Sequence, residues 1–342
     1  MSSVNTYLPP GEGETVFTVS STPIKFGVGA LRELGADAQG LGMTRVALFV
    51  DDHVLGTEAG ADALASLRAA GLDAVVYDHV RCEPDSDSFA AAAAFVREGA
   101  FDGFVSLGGG SVIDTAKAAN LLSTWPDDLL AYINAPIGRA KPIPGKLKPH
   151  IACPTTCGTG SETTGITIVD LKSVGLKTGI ASPLLKPTLA LIDPRTTESL
   201  PGGVVAATGF DVLTHAVESY TARPYTSRPK PAHPSQRPPY QGSTPYNDIG
   251  SLHAIRLGGR YLARAVRDAG DTEARHQLMF ASTLAGLAFG SAGVHIPHAM
   301  SYSVATLKHE FSAAGYEDRD RMVPHGIAVV INAPAAFRFT AQ

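Results

Sequence analysis

The sequence predicts an α/β domain on a mostly parallel sheet over residues 1–200, followed by an all-helical domain over residues 201–342. Three observations predict it. Between residues 45 and 195, short apolar runs alternate with helical stretches, and after Pro201 helical periodicity continues with no convincing strand. Alternation of this kind marks parallel sheets, whose neighbouring strands need a crossover connection, usually a helix. A length of 342 residues also exceeds what one core ordinarily serves.

In chain order, RVALFVDD, DAVVYDHV, FDGFVSLGGG, HIACPTT and TLALIDP read as strands, each a short apolar run bounded by Gly, Pro or Asp. TEAGADALASLRAAG, SDSFAAAAAFVREGA and SVIDTAKAANLL read as the helices between them. Beyond Pro201, VVAATGFDVLTHAVESYTA, DIGSLHAIRLGGRYLARAVRD and DTEARHQLMFASTLAGLAFG carry the helical period. The stretch RPYTSRPKPAHPSQRPPYQGSTPYND is too rich in proline for a helix and reads as a solvated loop.

Composition narrows the function classes. Hydrophobic residues make up 44% and charged residues 18%, which excludes wholesale disorder. A formal net charge of −4 offers no basic face for nucleic acid and no polybasic membrane anchor. No apolar run approaches the roughly 20 residues of a membrane span. Cys82, Cys153 and Cys157, odd in number, read as reduced thiols without a disulfide framework. The opening MSSVNTYLPPGEGE lacks a charged segment followed by an apolar one and is not Arg-rich. A cytoplasmic location is therefore expected.

Two constellations carry chemistry. In GFDVLTHAVESY, Asp211 and His215 stand four residues apart and so share one helical face. His298 in HAMSY and His325 in VPHG supply two further imidazoles. One carboxylate and three histidines suit a divalent first-row ion, iron or zinc. Taken alone, this clamp also fits a hydrolase or a structural metal. His295, three residues before His298, has spacing that would let either bind. The second constellation is GFVSLGGGSVIDTAK, where Gly108, Gly109 and Gly110 separate a strand from a helix and Ser111 occupies the N-cap position. Such a turn lets backbone approach a phosphate at a helix N-terminus, although it is not GxGxxG. Asp52, with Asp51 beside it, ends an earlier strand where a carboxylate can accept a ribose hydroxyl, favouring NAD. Thr155, Thr156 and Thr159 in CPTTCGTGSE add hydroxyls for a phosphate or nicotinamide site, or ordinary turn chemistry. His150, His233, His253, His276 and His309 have no partner at ligand spacing and read as surface or satisfied core residues.

GGGSVIDTAK, PTTCGTGSETT, GFDVLTHAVESY, HAMSY and VPHG together resemble the iron-containing alcohol dehydrogenase family, which shares its fold with dehydroquinate synthase. RCEPDSDSF, NAPIG, LKPTLALIDP, ESYTARPY and RPPYQGSTP are similar to its hydroxyacid–oxoacid transhydrogenase subgroup. The resemblance implies that Asp211, His215, His298 and His325 bind the metal, Fe2+ or Zn2+. It implies that Gly108, Gly109, Gly110 and Ser111 hold the pyrophosphate of NAD, that Asp52 meets the ribose, and that Asp114 and Lys177 lie near the cofactor. Tyr302 replaces a histidine common in the family and reads either as a proton relay or as a packed core residue. The implied activity is hydride transfer from 4-hydroxybutyrate to 2-oxoglutarate through bound NAD. An ordinary NAD-dependent alcohol dehydrogenase releasing NADH is one alternative, and an inactive nucleotide- and metal-binding fragment is another. Substrate carboxylates call for a cation, and the loop residues Arg223, Arg228, Lys230 and Arg237 are the expected source. Family members continue beyond FRFTAQ, so an incomplete helical domain is expected here. Small-molecule partners and a homo-oligomer complete the expectation, with no nucleic acid or membrane partner.

Overall fold

Central strands of a parallel sheet are covered on both faces and read as unbroken apolar runs. The strand leading into the glycine turn, Gly103–Gly108, fits that description, being buried at every position. A computed structural model describes residues 13–306, 311–317, 319 and 321–341. The beginning of the chain through Glu12 and the histidine at 309 lie outside the described residues.

The strands in chain order are β1 (Ile24–Phe26), β2 (Arg45–Val50), β3 (Asp73–Tyr77), β4 (Gly103–Gly108), β5 (His150–Pro154), β6 (Ile166–Leu171), β7 (Leu176–Ala181) and β8 (Leu189–Ile192). Six form one sheet in the order β1-β8-β5-β4-β2-β3, every pair parallel. Around it lie α1 (Leu34–Gly40), α2 (Asp52–Leu55), α3 (Glu58–Ala69), α4 (Ser86–Gly99), α5 (Gly110–Thr124) and α6 (Leu129–Tyr132). Leu34, Leu48, Leu67 and Ile151 fill one face of the sheet, while Phe49, Phe104, Val96 and Val112 fill the other. Each such side chain contributes about 1.5–3 kcal/mol on burial. Thr57 caps α3, and Asp85 with Ser88 forms a capping box on α4.

Strand order reverses direction between β2 and β4. Ligands of open α/β sheets bind at such a switch point, beyond the carboxyl ends of the strands. Those ends are Asp51 after β2 and the glycine turn after β4.

Two strand features were not expected from the sequence. β1 is too short to announce itself and exists through its pairing with β8. β6 and β7 form a separate antiparallel hairpin, turning at Gly175 with φ 61°. The hairpin loop is anchored to the body where Asp170 N–H donates to the Pro84 carbonyl at 2.9 Å.

After Pro201 the elements are helical: α7 (Gly202–Thr221), α8 (Pro245–Arg267), α9 (Thr272–Ala292), α10 (Ile296–Thr306), α11 (His325–Val330) and α12 (Ala333–Thr340). Val212, Ala216, Leu257, Leu278 and Met279 knit α7, α8 and α9 into one core. Arg275, almost wholly buried, fastens this core to the end of the sheet region by donating to the carbonyls of Thr197 (2.6 Å) and Leu200 (3.0 Å). Among the described residues no single helix is long and apolar enough to cross a membrane. All three cysteines are free.

Up to Thr244 the proline-rich segment holds no α-helix, only single 3-10 turns at Tyr225–Ser227 and Pro234–Gln236, but its last four residues, PYND, open α8, where proline is tolerated in the first turn. It is better anchored than a solvated loop. Tyr225 and Thr226 are buried, Arg237 pairs with the buried Glu14 at 2.9 Å, and Arg228 donates to the Gln241 carbonyl.

Candidate functional site

A cleft of about 420 Å³ opens at the switch point. Asp51, Gly109, Gly110, Ser111, Thr155, Thr156 and Thr159 line its sheet side, and Asp211, Tyr316, Arg319 and His325 its helical side. Small residues are what the geometry demands. A Cβ on Gly110 would come within 2.7 Å of Thr159, and one on Gly109 within 3.2 Å of Thr156. α5 starts at Gly110 with Gly109 as its N-cap and no side-chain cap. Its first N–H groups and the positive end of its dipole therefore face the cleft, as a diphosphate requires. Ser111 was expected at the N-cap, but the N-cap is Gly109, two residues earlier. The Ser111 hydroxyl oxygen instead accepts the Glu83 N–H at 3.2 Å.

The acidic side of the cleft also differs in detail. Asp51 lines it, caps α2 through His53 N–H, and receives two hydrogen bonds from Arg319 at 2.9 and 3.0 Å. Asp52 stands outside the lining, its side chain 67% exposed. Asp114 is buried with its carboxylate already engaged by the Ser161 hydroxyl, by Ile168 N–H at 2.8 Å and by Lys117 at 3.7 Å.

The histidine cluster forms where α7, α10 and α11 meet. Asp211 and His215 occupy the buried face of α7. His298 sits early in α10 and His325 begins α11. Gly326 is required beside it, because a Cβ there would strike the Ala207 carbonyl of α7. Around Asp211 Oδ1 gather His298 Nε2 at 3.4 Å, His215 Nδ1 at 3.7 Å and His325 Nε2 at 3.7 Å. Asp211 Oδ1, His215 Nδ1 and His298 Nε2 are buried without a hydrogen-bond partner among the described residues. A buried polar atom left unpaired costs about 1–3 kcal/mol. Three of them facing one point fit a divalent cation. Burial pushes His215 down to about 4 and His325 to about 3, keeping both imidazoles neutral as ligands must be. Burial also opposes the charge on Asp211, but His215, His325 and His298 hold its carboxyl well below the usual range.

Glu218, one turn beyond His215, was not anticipated. Its carboxylate accepts His298 Nδ1–H, the His298 N–H at 3.3 Å and the His295 N–H at 2.9 Å. Nδ1 is thereby committed to Glu218, and Nε2 is the ring nitrogen that faces Asp211, where a bound metal would take the place of its proton. Burial disfavours a charged His298, yet Asp211 and Glu218 raise it to about 9. His295 is turned away, its Nε2 paired with the Thr221 hydroxyl at 3.0 Å. Phe289 stacks on His215, ring centroids 4.1 Å apart, and closes the back of the cluster.

A second cavity of about 140 Å³ adjoins the cluster, lined by Ser111, Asp114, Thr159, Lys177, His215, His298, Tyr302 and His325. Lys177 reaches it from β7 and pairs with Glu83. Gly108 lines neither cavity; it ends β4 against Val112. The expected cations Arg223, Arg228, Lys230 and Arg237 line neither cavity. Arg237 is neutralised by Glu14, and Arg228 is spent on backbone, so this expectation is corrected. The remaining histidines are accounted for otherwise: His150 bonds the Ser106 hydroxyl, His276 pairs with Glu198, His233 caps a turn and His253 is exposed.

The sequence model of the iron-containing alcohol dehydrogenase family matches residues 21–194, and that of its C-terminal region matches residues 240–342. The chain is 49% identical over 328 residues to bovine mitochondrial hydroxyacid–oxoacid transhydrogenase, covering 95% of this chain and 70% of that protein. The human protein of the same name is 47% identical over the same span. Among solved structures, a 1,3-propanediol oxidoreductase superposes with TM-score 0.80 at 29% identity, covering 95% of this chain and 76% of the other. A sulfoacetaldehyde reductase from Bifidobacterium kashiwanohense in complex with NAD+ gives 0.78 at 27% identity, covering 95% and 77%. These findings overturn the cytoplasmic expectation, since the transhydrogenases of cattle, rat and human are mitochondrial by name. The composition of a folded body carries no compartment address.

Proposed function

The chain belongs to the iron-containing alcohol dehydrogenase family, in its hydroxyacid–oxoacid transhydrogenase subgroup, and from that premise we propose hydride transfer between 4-hydroxybutyrate and 2-oxoglutarate through one bound NAD. One observation carries the reading. The glycine-turn cleft and the histidine cavity meet at Gly110, Ser111, Thr159 and His325, which line both. A cofactor held by the turn therefore ends at the cluster.

Asp211, His215, His298 and His325 would hold Fe2+ or Zn2+, and bound there the ion supplies a Lewis acid for a substrate oxygen while NAD carries the hydride. The remaining tasks fall to the chain. Gly109, Gly110 and the first turn of α5 seat the diphosphate, with Thr155, Thr156 and Thr159 closing around it. Asp51 stands on the ribose side, in the role expected of Asp52. Glu218 fixes the tautomer of His298. Phe289 keeps water from the back of His215. Tyr302 lines the substrate cavity, and burial raises its hydroxyl above the usual range. At neutral pH it can donate a hydrogen bond to a substrate oxygen but serves poorly as a base.

The test supplies iron-loaded protein with a trace of NAD, 4-hydroxybutyrate deuterated at the carbinol carbon, and 2-oxoglutarate. Deuterated 2-hydroxyglutarate is the expected product. NADH accumulating without oxoacid, and no labelled product with it, would assign an ordinary alcohol dehydrogenase instead. Binding of NAD and metal with no turnover of either kind would reduce the chain to a binding fragment.

A further inference from the structure

We propose that Arg319 retains the nucleotide: its guanidinium bridges the mouth of the cleft to Asp51, so that NADH formed from one acid stays bound while that acid leaves and the other enters. The inference rests on the functional reading above and assigns to one residue the retention that this reading requires.

A hydride passed between two acids through one nucleotide needs two kinds of exit. Substrates must come and go in every turnover, and the cofactor must not. The two cavities separate these tasks, since Asp51 and Arg319 both line the cleft and neither lines the cavity beside the histidine cluster. Their side chains are 22% and 25% exposed, so the pair stands where the cleft meets solvent rather than in its floor. It also joins the two regions of the molecule. Asp51 follows β2, whereas Arg319 lies 268 positions further on, shortly before α11.

The backbone aims this arginine. Gly315, at φ 84°, lies so close to the start of α7 that a Cβ there would come within 3.1 Å of Pro201 and of the Val204 nitrogen. The Arg319 N–H then donates to the Tyr316 carbonyl at 3.1 Å, closing a turn. From that turn Nη2 reaches both oxygens of Asp51, at 3.0 and 2.9 Å, and Nη1 stands 3.9 Å from Asp52.

The bridge leaves a place for the cofactor. Asp51 Oδ1 takes the His53 N–H at 3.0 Å as well as Arg319, but Oδ2 keeps a second lone pair beside its bond from Arg319. A ribose hydroxyl can be added there without breaking the bridge. A nucleotide with its diphosphate on the glycine turn and its ribose on Asp51 is thus held behind the bridge, and leaving means parting Arg319 from Asp51. Charged hydrogen bonds partly withdrawn from water resist that more than a fully exposed pair would.

The experiment mixes NADH-loaded protein with a large excess of NAD in a stopped-flow instrument, where the loss of bound-NADH fluorescence gives the release rate. Arg319→Ala should release NADH about tenfold faster, the lower end of what a charged hydrogen bond is worth, because the pair is not wholly buried. Arg319→Lys should recover part of the retention. Asp51→Asn keeps an acceptor for the ribose but drops the charge. Adding Arg319→Ala to it should quicken release by less than about twofold, since the bridge is already gone. Metal content should be the same in every variant. An unchanged release rate in Arg319→Ala overturns the bridge, and so do fully additive effects in the double variant. Loss of metal alongside the nucleotide overturns it too, because Arg319 would then merely support the chain leading to His325. Should Arg319→Ala fail to fold, an Asp51→Asn protein that releases NADH no faster than wild type overturns it alone. Arg319-dependent retention in a protein that moves no deuterium from 4-hydroxybutyrate to 2-oxoglutarate would sink the transhydrogenase reading and leave the bridge standing.

Discussion

Two buried histidines show how differently the sheet region and the helical region treat a polar group. His150, at the start of β5, is 3% exposed; its Nε2 meets the Ser106 hydroxyl at 2.7 Å and its N–H donates to Thr188. Its Nε2 and both backbone groups have partners inside the protein. His298, 7% exposed on α10, has Nδ1 secured by Glu218 and Nε2 with no hydrogen-bond partner among the described residues. Burial alone does not mark a functional histidine. What marks it is a fold that fixes one ring nitrogen and turns the other, unpaired, toward Asp211 Oδ1, which two further imidazoles also face.

The sharpest way to break this contrast is Asp211→Ala, which removes the oxygen on which three imidazoles converge. Metal content should fall to background and turnover by at least about 1,000-fold, since Lewis-acid stabilisation is worth several kcal/mol. NAD affinity, measured by calorimetry, should stay within about threefold, because the glycine turn is built on the other region. Stoichiometric metal in the variant would end the assignment. Glu218→Gln comes next: the expected loss is about 10- to 100-fold in metal affinity, read by chelator competition. His295→Ala should leave that affinity nearly unchanged, since His295 Nε2 faces Thr221 and not Asp211. Equal losses in the two variants would mean that Glu218 merely supports α10.

The complementary test belongs to the cleft. Gly110→Ala puts a methyl against Thr159 and should weaken NAD about tenfold or more while leaving metal content intact. Loss of both together would show that the two halves of the site are not independent.

Much of this was legible in the chain. The alternation of apolar runs and helices announced the parallel sheet, and Asp211, His215, His298 and His325 do come together. Glu218 was legible too, though unread: positions 211, 215 and 218 of a helix share one face. The β6–β7 hairpin left a signal in ITIVDL, a β-branched alternating run closed by a short loop with Gly175. What local pattern could not supply is where long-range partners stand. Arg237 looks free in sequence because Glu14 is more than two hundred residues away. Lys177 looks like any strand lysine until the hairpin carries it to the cavity. The choice of Asp51 over Asp52 depends on which way β2 faces as it ends.

The smallest expected effect tests the satisfied half of the comparison. Burial, with a lesser push from Lys117, lowers His150 to about 3. An unfolded histidine titrates near 6.5. Below that pH the unfolded chain takes up a proton that the folded chain refuses, so the contribution is whole above about 6.5 and is lost as pH falls toward 3. Between pH 7 and pH 5 the loss is about 2 kcal/mol. Urea unfolding at the two pH values should show wild type losing that much more than His150→Gln. Excess metal should leave this share untouched, since His150 lines neither cavity and belongs to no cluster of ligating side chains among the described residues. If metal did remove the difference, His150 would have to reach a site through Ser106, and the division between a satisfied sheet histidine and an unsatisfied metal histidine would fail at its simplest point.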